Sequence, residues 1–141
     1  MTETQPSLLY AVKQVELAVR SHLDDLLRPA GITALQYTAL TVLQRGHDMT
    51  AAQLARNSFV TTQSTSDLVA ALERRGLISR ERATNDRRRV HITLTDAGER
   101  LLAEQAEAVA ALEAKMVSAL SPSQVAGFRK ALNASRAALS D

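Results

Sequence analysis

Two groups of side chains in this sequence could do chemistry, and both suit a polyanion. One is a run of hydroxyl and amide groups, Thr61, Thr62, Gln63, Ser64, Thr65 and Ser66, closed by Asp67. Hydroxyls of this kind bond phosphate oxygens, and a glutamine amide can read an adenine edge through two hydrogen bonds. The other group is basic. Arg74, Arg75, Arg80, Arg82, Arg87, Arg88 and Arg89 stand close together, with only Glu73, Glu81 and Asp86 among them in return. Of the 17 basic residues, all but Lys13, Lys115 and Lys130 are arginine. The planar guanidinium suits phosphate and base edges better than an ammonium does. The formal net charge is only +2, so the placement of charge carries more weight than its sum.

Other chemistries find little support. His22, His47 and His91 are single and scattered, without metal-ligand spacing. The chain has no Gly-rich phosphate loop and no nucleophile elbow. It contains 0 cysteines, which excludes disulfides, thiolate metal sites and thiol redox sensing. An enzyme, a metal and a cofactor are therefore not expected. No apolar run approaches the ~18–20 residues of a membrane helix. Met1 to Ser7 lacks the basic-then-apolar pattern of a signal peptide. The 141 residues are expected to form one cytoplasmic domain, 1–141, with no membrane partner.

The elements that must position the two groups follow from periodicity. Leu8, Val12, Val15, Val19, Leu23 and Leu26 recur at steps of three and four, which predicts a helix over 8–27 ended by Pro29 and Gly31. A second helix is predicted over 34–44, with Leu35, Ala39 and Leu43 on one face and Gly46 as a left-handed stop. Thr50 and Gln53 have capping-box spacing for a short third helix ending near Asn57, with Met49 and Leu54 as its hydrophobic staple. Thr61 caps a fourth, 62–75, whose inner face is Leu68, Val69 and Leu72 and whose ending at Gly76 and Leu77 has the Schellman pattern. Then the period changes to two. Leu77 to Arg82 and a run containing Val90, Ile92 and Leu94 read as strands, joined by a loop over 83–89 that holds Asn85 and Asp86. A long helix over 96–119 follows, with Leu102, Val109, Leu112, Met116 and Leu120 as its stripe. Ser121, Pro122 and Gln124 start a last helix carrying Val125, Phe128, Leu132 and Leu139.

The third and fourth helices have the form of a helix-turn-helix, in which the second helix presents its first turns to the major groove. The loop places Arg87, Arg88 and Arg89 at or near its tip, where arginine can enter a narrow minor groove. Asp86 can fix one of them through a carboxylate–guanidinium pair.

The segment Asp86-Arg87-Arg88-Arg89-Val90-His91-Ile92-Thr93-Leu94-Thr95 resembles the wing signature of the MarR family, an Asp, one residue, an Arg, five residues, then Leu-Thr. Leu72 to Ile78 is similar to the family's recognition-helix ending, and Asp96-Ala97-Gly98 to the start of its long helix. The resemblance implies a mainly α fold, a winged helix-turn-helix of about six helices plus a two-stranded hairpin wing. It makes Arg88 the minor-groove arginine and Asp86 its support. Thr62, Gln63, Ser66 and Asp67 match groove-facing positions. Two departures stand out: Phe59 where related turns have glycine, and Asp67 where a basic residue is common.

Together these readings expect a regulator that binds double-stranded DNA through Thr61, Thr62, Gln63, Ser64, Ser66, Asp67, Arg87, Arg88 and Arg89. The reading part is expected over 34–95, flanked by dimerisation helices over 7–30 and 96–141. Leu8, Leu9, Leu120, Val125, Phe128, Leu132 and Leu139 exceed what a small winged domain covers alone, so a homodimer on a near-palindromic site is expected. The family resemblance further implies repression relieved by a small aromatic or phenolic effector, with Arg20, His22 and Tyr37 as candidate ligands for it. The alternative is a winged domain used only for protein–protein contact.

Overall fold

The computed structural model describes residues 5–46, 49–58, 61–83 and 86–140, with the backbone alone at Thr62, Ala83 and 86–88. His47, Phe59 and Asn85, each used in reading the sequence, lie outside the described residues. The order is α1 (Leu8–Leu27), a 3-10 turn (Arg28–Ala30), α2 (Ala34–Gly46), α3 (Ala51–Ser58), α4 (Thr62–Arg74), β1 (Ile78–Ala83), β2 (Asp86–Leu94), α5 (Asp96–Met116) and α6 (Pro122–Leu139). The fold is therefore the expected one of six helices and an antiparallel hairpin. Two compact parts are distinguished, 1–107 and 108–141.

The first part has one hydrophobic core. Leu27, Leu40, Leu43, Leu54, Leu72 and Ile92 are its largest fully buried apolar side chains, drawn from α1, α2, α3, α4 and β2. Leu68 and Val69 join them from α4, Leu77 and Ile78 from the start of the hairpin, and Leu101 and Leu102 from α5. Burying each large aliphatic contributes roughly 1.5–3 kcal/mol. The hairpin is more than a protrusion. Met49 and Ile92 exchange backbone hydrogen bonds at 3.2 and 2.6 Å, so Met49, two residues ahead of α3, extends the two-stranded sheet by one bridge.

Local signals set most boundaries. Reciprocal bonds between Thr50 and Gln53 close the capping box of α3, at 2.9 and 3.2 Å. Those between Ser121 and Gln124 do the same for α6, at 2.8 and 3.2 Å. Thr33 and Gln36 form a third such pair ahead of α2, at 3.0 and 3.1 Å. At the end of α4, Gly76 takes φ 72, Leu77 N donates to Leu72 O at 3.1 Å and Gly76 N to Glu73 O at 2.9 Å, which is the Schellman pattern.

Four expectations need correction. Gly46 is not a left-handed stop. It is the last residue of α2, and only Gly31 and Gly76 have positive φ among the described glycines. Its lack of a side chain serves sterics instead, because a Cβ there would collide with the Met49 methyl. Leu35 is 42% exposed, and the inner face of α2 is Ala34, Ala39, Leu40, Val42 and Leu43. The 83–89 stretch is not one loop, since Ala83 pairs with Asp86 and β2 begins at Asp86. Finally, α5 ends at Met116 rather than 119, closed by turn bonds from Ser118 N to Lys115 O and Leu120 N to Val117 O.

The second part is a hairpin of the last turns of α5 and of α6. Its apolar side chains, among them Val117, Val125 and Phe128, are at most half-buried, and no residue of α6 is buried. Ala110, Met116, Val125, Phe128 and Leu132 line an apolar groove there. Arg129 reaches Glu113 at 3.9 Å.

Candidate nucleic-acid interface

The reading helix is built from its cap upward. Thr61 has extended backbone, φ −72 and ψ 160, and its Oγ1 accepts the Ser64 amide at 3.1 Å. This settles one of the donors that a helix start leaves unpaired. The Thr61 hydroxyl in turn donates to Ser64 Oγ at 3.0 Å. Beyond the cap, Gln63, Ser64, Ser66 and Asp67 are exposed, while Leu68, Val69 and Leu72 face the core. Thr65 departs from the expected polar run. It is 1% exposed, and its hydroxyl donates to Thr61 O at 2.8 Å. Residues 65, 68, 69 and 72 share the inner face, so the apolar stripe begins with a threonine whose polar atom is satisfied locally.

The hairpin register runs from Ile78↔Leu94 to Arg82↔Val90 and then jumps to Ala83↔Asp86. Arg87, Arg88 and Arg89 are the extra residues between those two pairs. They therefore form an insertion on the β2 side of an irregular ladder rather than a free tip. Arg89 is exposed. The alternation of β2 is also uneven, since Ile92 is 2% exposed and Val90 40%.

The remaining arginines of the cluster have different surroundings. Arg80 and Arg82 lie two apart on β1 and line a groove with Ser66 and Val69 of α4 and Val90 and Ile92 of β2. Arg80 Nε stands 3.5 Å from a Glu73 carboxylate oxygen. The sequence places these two in the basic cluster but not among the expected DNA-contacting residues; their period-two spacing about Glu81 is the signal that puts them on one face. Arg75 is exposed but tethered: its guanidinium donates to Gly31 O at 2.6 Å and Ala30 O at 2.9 Å, so its donors are engaged within the chain.

The three candidate effector ligands are not brought together. Arg20 Nε donates to Glu16 Oε1 at 2.9 Å, one turn back on α1, and His22 is exposed. Tyr37 is half-buried against the core, and burial pushes its phenol pKa above the ordinary value. Of the three, only Arg20 lines the broad cavity bounded by α1, α2 and the start of α4. That cavity, of about 840 Å³, is also lined by Thr33, Thr38, Ser58, Thr61 and Ser64. Ser58 is 2% exposed and its hydroxyl has no hydrogen-bond partner among the described residues. No group of three or more His, Cys, Asp or Glu suited to a metal occurs among the described residues. None of their helices is long and apolar enough to cross a membrane.

Comparison with known proteins agrees with this geometry. The MarR family model matches residues 30–89. An HTH-type transcriptional repressor of Mycobacterium bovis is 31% identical over 124 residues, covering 87% of this chain and 88% of the relative. The fold is similar to that of MepR from S. aureus in complex with DNA, with a TM-score of 0.83 and 25% identity over 96% of this chain and 100% of that one. It is also similar to NadR in complex with 4-hydroxyphenylacetate, with a TM-score of 0.82 and 25% identity over 99% of each chain.

Proposed function

The chain belongs to the MarR family, and from that premise we propose that it is a transcriptional repressor that binds double-stranded DNA as a homodimer in the cytoplasm. One observation carries the reading: a threonine-capped helix with Gln63, Ser64, Ser66 and Asp67 exposed is followed directly by a hairpin with an arginine insertion. In this reading Thr61, Thr62 and Ser64 hold phosphates at the start of α4, where the helix dipole also favours anions. Gln63 reads a base edge, and Ser66 lies beside it. Asp67 accepts from a cytosine amino group or steadies an arginine. Arg88 enters the minor groove, supported by Asp86, with Arg87 and Arg89 on the flanking phosphates. Arg80 and Arg82 add charge between hairpin and helix.

The similarity to a 4-hydroxyphenylacetate complex supports an aromatic effector. The cavity under α1 and α2 is its proposed seat, because Val19, Leu23 and Leu35 line it beside the Arg20–Glu16 ion pair and the Ser58 hydroxyl, which has no partner among the described residues. Thr61 and Ser64 belong to both the cavity and the helix start, so an effector there acts on the helix that reads DNA.

The test is duplex binding as a function of salt. Wild-type protein should bind a duplex selected from a random pool, with log K falling linearly in log salt. Arg88→Ala should weaken binding about tenfold or more and flatten that slope. A wild-type protein that binds no duplex at low salt would leave the domain as a protein-interaction module.

A further inference from the structure

We propose that Arg75 is a positioning residue that locks the tilt of the reading helix to the joint between α1 and α2, and so sets DNA specificity without touching DNA. The inference rests on the DNA-binding reading above. Arg75 is the C-cap of α4, and its guanidinium spans two successive carbonyls, Gly31 O at 2.6 Å and Ala30 O at 2.9 Å, from residues 44 and 45 positions away. Those carbonyls close the 3-10 turn after α1, an end where backbone acceptors lack helical partners and the helix dipole favours a cation. The rigid planar fork presents two separate nitrogens to these two acceptors at once, a geometry that a flexible ammonium does not hold ready.

The joint that Arg75 grips is itself firmly built. Gly31 takes φ 76 and its amide donates to Arg28 O at 2.9 Å. Asp24 of α1 accepts the Ala34 amide at 2.7 Å, and Thr33 and Gln36 exchange the bonds that begin α2. A Cβ on Gly31 would come 3.0 Å from Arg75 Nη1, so the glycine serves both its own left-handed backbone and the approach of the guanidinium.

The consequence is a lever. Gln63 lies about 18 Å along the helix from Arg75, at 1.5 Å per residue. A tilt of roughly 5° at the C-cap moves the first turn by about 1.6 Å over that length. A binding constellation works only when held within about 0.5 Å. Base-edge contacts are thus lost well before the helix unfolds, whereas phosphate attraction tolerates the shift.

The experiment compares wild type, Arg75→Ala and Arg75→Lys on two probes: a duplex selected from a random pool by the wild-type protein, and an unselected random-sequence duplex. Arg75→Ala should lose about tenfold in affinity for the selected duplex and less than twofold for the random one. Its salt slope should not change. Arg75→Lys, with a compact ammonium, should recover only part of the preference. Lower fold stability alone reduces both affinities equally, so the ratio separates positioning from general weakening. If Arg75→Ala does not fold, Arg75→Lys and Arg75→Gln carry the same comparison. The proposal is overturned if the ratio stays at the wild-type value, or if both affinities fall together and the salt slope drops by about one, the mark of a phosphate contact. Wild-type protein that binds neither duplex refutes the DNA-binding reading itself, a different result from either.

Discussion

Thr65 and Ser66 are adjacent in the chain and opposite in environment, and that contrast defines the reading face one side chain at a time. Thr65 is 1% exposed and bonded to its own helix start, whereas Ser66 faces out beside Arg80 and Arg82. Thr65→Val keeps the volume and removes one hydroxyl donor. It should cost about 1 kcal/mol in urea denaturation and leave duplex affinity within roughly twofold. Ser66→Ala, on the outward face, should weaken duplex binding instead. Loss of binding in the valine variant alone would mean that the face is assigned wrongly. Tyr37 gives a second residue-scale expectation. Burial raises its phenol pKa, so the folded chain keeps a proton that the unfolded chain releases near pH 10. This contribution is fully present below that pH and is lost as pH rises through and beyond it. Thermal melts between about pH 9 and 11 should therefore fall less steeply for Tyr37→Phe than for wild type; parallel curves would remove Tyr37 from the alkaline response.

At the scale of elements, what was legible in the sequence was what is decided locally. Thr50 with Gln53, Ser121 with Gln124, and Thr61 with its own first turn are contacts within four residues, so their types and spacing fix the helix starts. The Schellman ending at Gly76 is equally local. What escaped the sequence depends on partners far along the chain. Gly46 looked like a stop, but its role follows from where Met49 is drawn by its bridge to Ile92. In the sequence Arg75 is one of the arginines suited to a polyanion, and only the fold brings it to Ala30 and Gly31. The hairpin pairs further toward its turn than alternation indicated, because Ala83 and Asp86 still meet after the register jump. Gly98 and Gly127 turn this distinction into a measurement. A Cβ on Gly98 would strike the Leu77 carbonyl oxygen and approach Leu94 Cδ2 at 2.9 Å, whereas one on Gly127 meets nothing within 4 Å. Gly98→Ala should destabilise by about 1–3 kcal/mol or more, since backbone cannot yield cheaply. Gly127→Ala, inside α6, should stabilise by up to about 1 kcal/mol through helix propensity. Urea midpoints for the pair decide it, and equal shifts would contradict the packing of α5 on the start of the hairpin.

At the scale of the whole molecule, the proposed homodimer would cover apolar surface that the single chain leaves exposed. On α1, Leu8 is 84% exposed, Leu9 82% and Val12 59%; on α6, Leu139 is 83% exposed and Leu132 48%. A helical hairpin in which no residue of α6 is buried has little to hold it in water alone, because short helices draw their stability from tertiary packing. In a two-fold dimer every interface residue enters twice, so a single charge placed in the interface opposes its own copy or is buried unpaired. Leu132→Glu should therefore shift the protein from dimer to monomer in sedimentation at micromolar concentration. Helical content from the first part should remain, since its core is built from other residues. The same variant then tests how DNA is read. A dimer sets two reading helices about one DNA turn apart, ~34–36 Å, and adds the phosphate contacts of both copies. A monomer keeps half of those contacts, so the slope of log K against log salt should fall to about half and the preference for a two-fold symmetric duplex should vanish. If wild type sediments as a monomer, or if Leu132→Glu leaves mass, slope and symmetry preference untouched, the exposed faces of α1 and α6 need an explanation other than a second copy of this chain.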